Sequence, residues 1–174
     1  MKKILILMGA VLFFISCQEK QPVRFTKTSA EISSLKQGIT AYEKADWSAW
    51  TGQFADTAKI YQNEWNKGLS PEETQKNHET TVANFSSYGF DPDQMVFEQV
   101  LDDDGETWVN FWGLWKGTFR ASGTSIEVPV HLTAQYVNGK IVEEYGFWDS
   151  SKIVAELTAI QAAQAAESED EAEE

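Results

Sequence analysis

The chain has 174 residues, 27 of them acidic against 14 basic, and a formal net charge of −13. A field of that sign repels phosphate backbones and argues against nucleic acid as a partner. Two histidines and one cysteine argue against a transition-metal centre and leave no disulfide, so no metal and no cofactor are expected.

In chain order, Lys2 and Lys3 precede an apolar run from Ile4 to Ile15 and then Ser16-Cys17, the layout of a secretory signal. That run reaches only ~18 Å as a helix, short of the ~30 Å of a hydrocarbon layer. Phe14-Ile15-Ser16-Cys17 resembles a bacterial lipobox, with Phe14 in place of the usual leucine. Residues 1–16 are therefore expected to be a cleaved lipoprotein signal peptide, with Cys17 as the acylated membrane anchor. The alternative is an ordinary secreted protein whose cysteine lies by chance near the cleavage point. Gln18 does not resemble an inner-membrane retention aspartate, so the expected location is the outer membrane of a bacterial cell envelope. The mature chain keeps 158 residues at −15, enough for one domain with its own core.

Residues 17–28 read as a polar tether and 29–165 as the folded domain. Thr28-x-x-Glu31 has the capping-box pattern, and Ile32, Leu35, Ile39 and Tyr42 follow at helical spacing to about Ala45. Asp46 can cap a short helix through Trp47, Trp50 and Phe54, and Ile60-Tyr61 reads as a brief strand. Ser70-Pro71-Glu72-Glu73 starts a third helix, predicted to run to about Ser86. From Asp93 onward the pattern is that of strands: Met95–Leu101, Trp108–Phe119, Ile126–Tyr136 and Lys140–Trp148. Asn138-Gly139 marks a two-residue hairpin turn. A last helix carries Ile153, Val154, Leu157 and Ile160. Residues 166–174, dominated by carboxylates, are expected to be a disordered tail. Helices first and an antiparallel meander afterwards give an α+β domain with helices on one sheet face.

The run Val128-Pro129-Val130-His131 through Tyr136-Val137-Asn138-Gly139-Lys140-Ile141-Val142-Glu143-Glu144-Tyr145 to Trp148-Asp149 resembles the SnoaL-like, polyketide cyclase-like branch of the nuclear-transport-factor-2-like superfamily. Trp115-Lys116-Gly117-Thr118 is similar to that family's central strand. The resemblance spans about Ile32 to Ile160. It implies a cone-shaped, curved sheet of cystatin-like type whose helices close the concave side over a pocket, and a homodimer contact on the outer face. The fold serves enzymes and non-catalytic binders alike, so it does not settle function.

Strand alternation puts Val109, Phe111, Gly113 and Trp115 on one concave wall with Val128, Val130, Leu132, Ala134 and Tyr136. On the last strand it groups Ile141, Glu143, Tyr145, Phe147 and Asp149. The expected pocket residues are thus Val109, Phe111, Trp115, Leu132, Tyr136, Tyr145 and Phe147; the resemblance adds Tyr61 and Trp65, on the short segment that often borders that family's pocket. Trp108, Trp112 and Leu114 fall on the opposite face, as a homodimer contact or apolar partner surface.

The resemblance makes Asp149 the candidate general acid/base, since burial among aromatics would raise its pKa. The competing role is capping of the last helix, which would lower it. Glu143 reads as a rim residue. His131 is offset by one from the family's pocket histidine and so points outward, and His78 reads as a semi-buried helix residue. Asp102-Asp103-Asp104-Gly105 lacks an EF-hand's distributed ligands and is a hairpin turn. Three readings stay open: a binder of a small apolar or aromatic molecule, a cyclase- or isomerase-type enzyme using Asp149, and an envelope interaction module.

Overall fold

The computed structural model describes residues 23–173. The proposed signal peptide, Cys17 and the first part of the tether lie outside the described residues. Eleven principal elements follow one another: β1 (Phe25–Thr26), α1 (Ala30–Glu43), α2 (Trp47–Thr51), β2 (Phe54–Gln62), α3 (Pro71–Val82), β3 (Phe85–Phe90), β4 (Val96–Leu101), β5 (Thr107–Phe119), β6 (Ser125–Val137), β7 (Lys140–Trp148) and α4 (Ser151–Glu173). They build an α+β fold around a curved, unclosed, mostly antiparallel seven-stranded sheet ordered β1-β4-β5-β6-β7-β2. Strand β2 joins β7 in parallel. Strand β5 is long enough to carry two partners on one edge, β4 along residues 107–112 and β3 along 115–119.

Helix starts follow local chemistry. The N-cap of α1 is Ser29, whose side chain accepts the Ile32 amide, so the cap is one residue later than the Thr28 pattern predicts. Asp46 caps α2 by accepting the Ala49 amide. At α3 the full capping box forms: Ser70 accepts from the Glu73 amide, and Glu73 accepts from the Ser70 amide. That helix ends at Val82 rather than Ser86, because Phe85 pairs with Phe119 at the start of β3. Three more expectations are corrected. Strand β2 is longer than the predicted Ile60-Tyr61 and begins at Phe54, which therefore leaves α2. Phe25 and Thr26, placed in the tether, pair with Val100 and Gln99 at the sheet edge. The acidic tail continues α4 to Glu173; alanine and glutamate are strong helix formers, and their propensity carries the helix past its packed portion.

The core lies between the helices and the concave face. Ile32, Leu35 and Ile39 of α1 and Trp50 of α2 pack on Val109, Phe111, Ala134, Tyr136 and Ile141. A second cluster of Phe85, Trp115, Phe119 and Val128 receives Ile153, Leu157 and Ile160 of α4. Two glycines of β5 are overlaid by aromatic rings. A Cβ at Gly113 would lie 2.3 Å from the Phe111 ring, and one at Gly117 would lie 2.4 Å from the Trp115 ring. Each ring folds along its own strand onto the bare backbone two residues on. The space at Gly113 on the concave side is thus filled by Phe111 and Phe90 and does not belong to the cavity under the helices.

Candidate functional site

A cavity of about 260 Å³ lies between the helices and the concave wall. That exceeds the roughly 150 Å³ void that admits benzene. Its inner part is apolar: Leu35 and Ile39 from α1, Trp50 from α2, Phe54 from β2, Trp115 from β5 and Ile141 from β7. Asn77 and Thr81, both exposed on α3, form the rim with half-buried Trp148, Ser150 and Ile153. Because α3 is held at its start by the capping box and at its end by β3, His78 is fixed facing inward, with its ring 5.2 Å from Tyr42 and 5.3 Å from Trp50.

Polar groups in this lining are few. The Gln62 amide nitrogen lies 3.2 Å from His78 Nε2 and donates to it, so that nitrogen acts as acceptor. Burial lowers the His78 pKa to about 4, which keeps the ring neutral. The Trp115 indole N–H donates to the Tyr42 hydroxyl at 3.2 Å, and burial holds that phenol well above its ordinary range. On β7, Glu144 lines the same cavity with only 8 % of its surface exposed. Its sheet neighbours are Ala134 and Ile60, which give no hydrogen bond from their side chains. Burial raises the Glu144 pKa to about 7.

Glu144 is the residue that sequence reasoning missed, and a bulge explains why. Tyr136 pairs with Ile141, but its neighbour Gln135 pairs with Glu143, so Val142 is an extra residue in β7. One inserted residue reverses every side chain beyond it. Ile141 faces the cavity as expected, but Glu144, Gly146 and Trp148 follow it inward instead of Glu143, Tyr145 and Phe147. The available signal was the adjacent pair Glu143-Glu144: in a strand covered on one side, one of two neighbours must point inward.

The other candidates divide accordingly. Trp115 and Leu132 line the cavity. Val109, Phe111 and Tyr136 are on the concave face but are consumed in the packed core. Tyr145 and Phe147 are on the outer face, as the bulge requires, and so are Tyr61 and Trp65: Tyr61 stacks on Tyr145 at 4.6 Å, and Trp65 lies 4.9 Å from the same ring. Asp149 is exposed outside the cavity and accepts the Ser151 amide at 2.9 Å. That bond lowers its pKa, the opposite of what a proton donor in an apolar pocket requires, and the general acid/base assignment to Asp149 is withdrawn. His131 stacks against Trp112 on the outer face at 4.8 Å. Among the described residues no cluster of three or more histidines, cysteines or acids is placed to hold a metal ion.

The sequence matches no known family model and no curated protein. Solved structures, by contrast, match over most of the chain. One is a candidate SnoaL-like polyketide cyclase from Shewanella denitrificans, 10 % identical, with a TM-score of 0.57 over 76 % of this chain and 99 % of that one. PrhC from Penicillium brasilianum is 15 % identical, with a TM-score of 0.63 over 81 % and 94 %. A protein of ketosteroid isomerase-like fold from Catenulispora acidiphila, solved with trimethylamine, is 13 % identical, with a TM-score of 0.56 over 70 % and 89 %. The chain therefore shares the fold of these SnoaL-like and ketosteroid isomerase-like proteins.

Proposed function

We propose that this protein is a lipid-anchored, extracytoplasmic SnoaL-like domain that binds a small, largely apolar molecule in its cone. The observation that carries the reading is the aromatic-lined cavity, roofed by helices and reached past Asn77 and Thr81. Pockets of this make-up, apolar with a few convergent polar groups, are the usual form of small-molecule sites. The trimethylamine held by the Catenulispora protein supports a small-molecule role for the fold. Trp50, Trp115 and Trp148 line the cavity and report on occupancy. Titration with naphthalene is expected to change tryptophan fluorescence saturably, and Leu132→Trp, which fills the cavity, to abolish the change. No saturable change with naphthalene, nor with any single-ring probe, in the unaltered protein would overturn the reading.

A second reading, proton-transfer catalysis of the cyclase or isomerase type, gains support from Glu144. A carboxylic acid titrating near neutrality in an apolar cavity is suited to general acid/base work, and neutral His78 faces the same space. Turnover of the naturally bound molecule by the unaltered protein, lost in Glu144→Gln, would decide for the enzyme.

A further inference from the structure

Glu144 carries a consequence for what the cavity accepts. A buried carboxyl ordinarily has a partner, because an unpaired one loses its hydration without compensation. Among the described residues Glu144 has no ion-pair or hydrogen-bond partner, although its carboxyl shares the lining of an open space. No lysine or arginine lines that space, so an anionic ligand would meet no positive charge there and would face the Glu144 carboxyl. A cationic ligand would meet a carboxylate together with the rings of Tyr42, Trp50 and Trp115, whose faces attract positive charge. The molecule's charge of −13 adds a field that concentrates cations around it.

We infer that the cavity selects a molecule with one basic nitrogen on a small apolar body, its ammonium group paired with Glu144 at the floor. This rests on the ligand-binding reading and names the ligand class for that same site. The apolar walls take up the body, and the Glu144 carboxylate supplies the charged contact in the lining.

The other titratable groups facing this region are Tyr42 of α1, His78 of α3 and Tyr136 of β6. Strand β2 and helix α2 contribute none to the cavity. Both phenols stay protonated through neutral pH, because burial raises their pKa values. His78 stays neutral, because burial lowers its own. Between pH 6 and pH 8 the charge state of the cavity is therefore set by Glu144.

The test is calorimetric titration of the protein with benzylamine, benzyl alcohol and toluene, which share a ring and differ in the group it carries. At pH 8 benzylamine is expected to bind at least tenfold more tightly than either neutral compound. That preference should vanish in Glu144→Gln. In the unaltered protein benzylamine affinity should fall several-fold from pH 8 to pH 6 while that of toluene stays level, a readout that does not depend on the variant folding. Equal affinity for all three, or a preference unchanged by pH, would overturn the inference while the ligand-binding reading stands. If naphthalene and all three of these probes fail to bind, the reading and the inference fall together.

Discussion

Glu144 and His78 face the same cavity with pKa values displaced in opposite directions, and their effects on stability have opposite signs. Glu144 is raised from 4.5 to about 7. Its folded form holds a proton that the unfolded chain releases, so its contribution is complete below pH 4.5 and is lost as pH rises through 7. That displacement corresponds to about 3 kcal/mol. His78 is lowered from 6.5 to about 4. Its contribution is complete above pH 6.5 and is lost as pH falls through 4, again by about 3 kcal/mol. The two slopes oppose each other between about pH 4.5 and 6.5, so the unaltered protein should be nearly level there in denaturant unfolding. Glu144→Gln should expose the rising slope of His78, and His78→Gln the falling slope of Glu144. Parallel profiles for all three proteins would contradict the assignment. At the same scale, Phe111 is wholly buried and covers Gly113; its replacement by alanine is expected to cost 3–5 kcal/mol, measured by the same unfolding.

At the scale of elements, α3 carries the histidine and the rim, and its position depends on its start. Ser70→Ala removes one half of the capping box and should cost about 1 kcal/mol. Chemical denaturation checks the loss, and faster amide exchange over Glu72–Thr74 checks its location. The elements also show where the sequence was legible. Strand β7 was bounded correctly as Lys140–Trp148, because Asn138 has a positive φ and Gly139 follows it in the tight turn. Its faces were not, because the bulge at Val142 has no composition of its own and is imposed by pairing with both β6 and β2. Strand β3 was hidden for a different reason. Phe85 lies three residues after Val82 and continues the helical stripe, while Ser86 and Ser87 supply no alternation. Only pairing with the aromatic end of β5 makes that segment a strand. The concave faces of β5 and β6 were readable because both strands alternate without interruption, as the partners Val109–Ala134, Phe111–Leu132 and Trp115–Val128 confirm. Of the nine pocket residues expected, Trp115 and Leu132 line the cavity. The rest were lost to the bulge, to core packing or, for Tyr61 and Trp65, to the outer face.

At the scale of the whole molecule, the sheet carries large apolar side chains on both faces, and among the described residues the helices cover one of them. On the outer face Trp112, 40 % exposed, lies in a row with His131 and Phe147, itself 39 % exposed. Trp108 and Leu114 share that side of β5. We propose that a second copy of the chain covers this face, consistent with the apolar surface expected of a subunit contact. Light scattering should give the mass of a dimer for the mature protein and of a monomer for Trp112→Glu. A monomer in both would end that proposal. The proposed attachment to the envelope is tested separately, at residues 1–17. Palmitate labelling in a bacterial host should mark the unaltered chain and not Cys17→Ser, and the variant should leave the membrane fraction. Label that persists in Cys17→Ser would exclude Cys17 as the anchor.

The central claim is that the roofed cavity holds a small molecule. Native mass spectrometry of the protein purified from its host tests this directly. The account predicts an additional bound mass that is present in the unaltered protein and absent from folded Leu132→Trp. A bound mass carried equally by both proteins, or by neither, would contradict it.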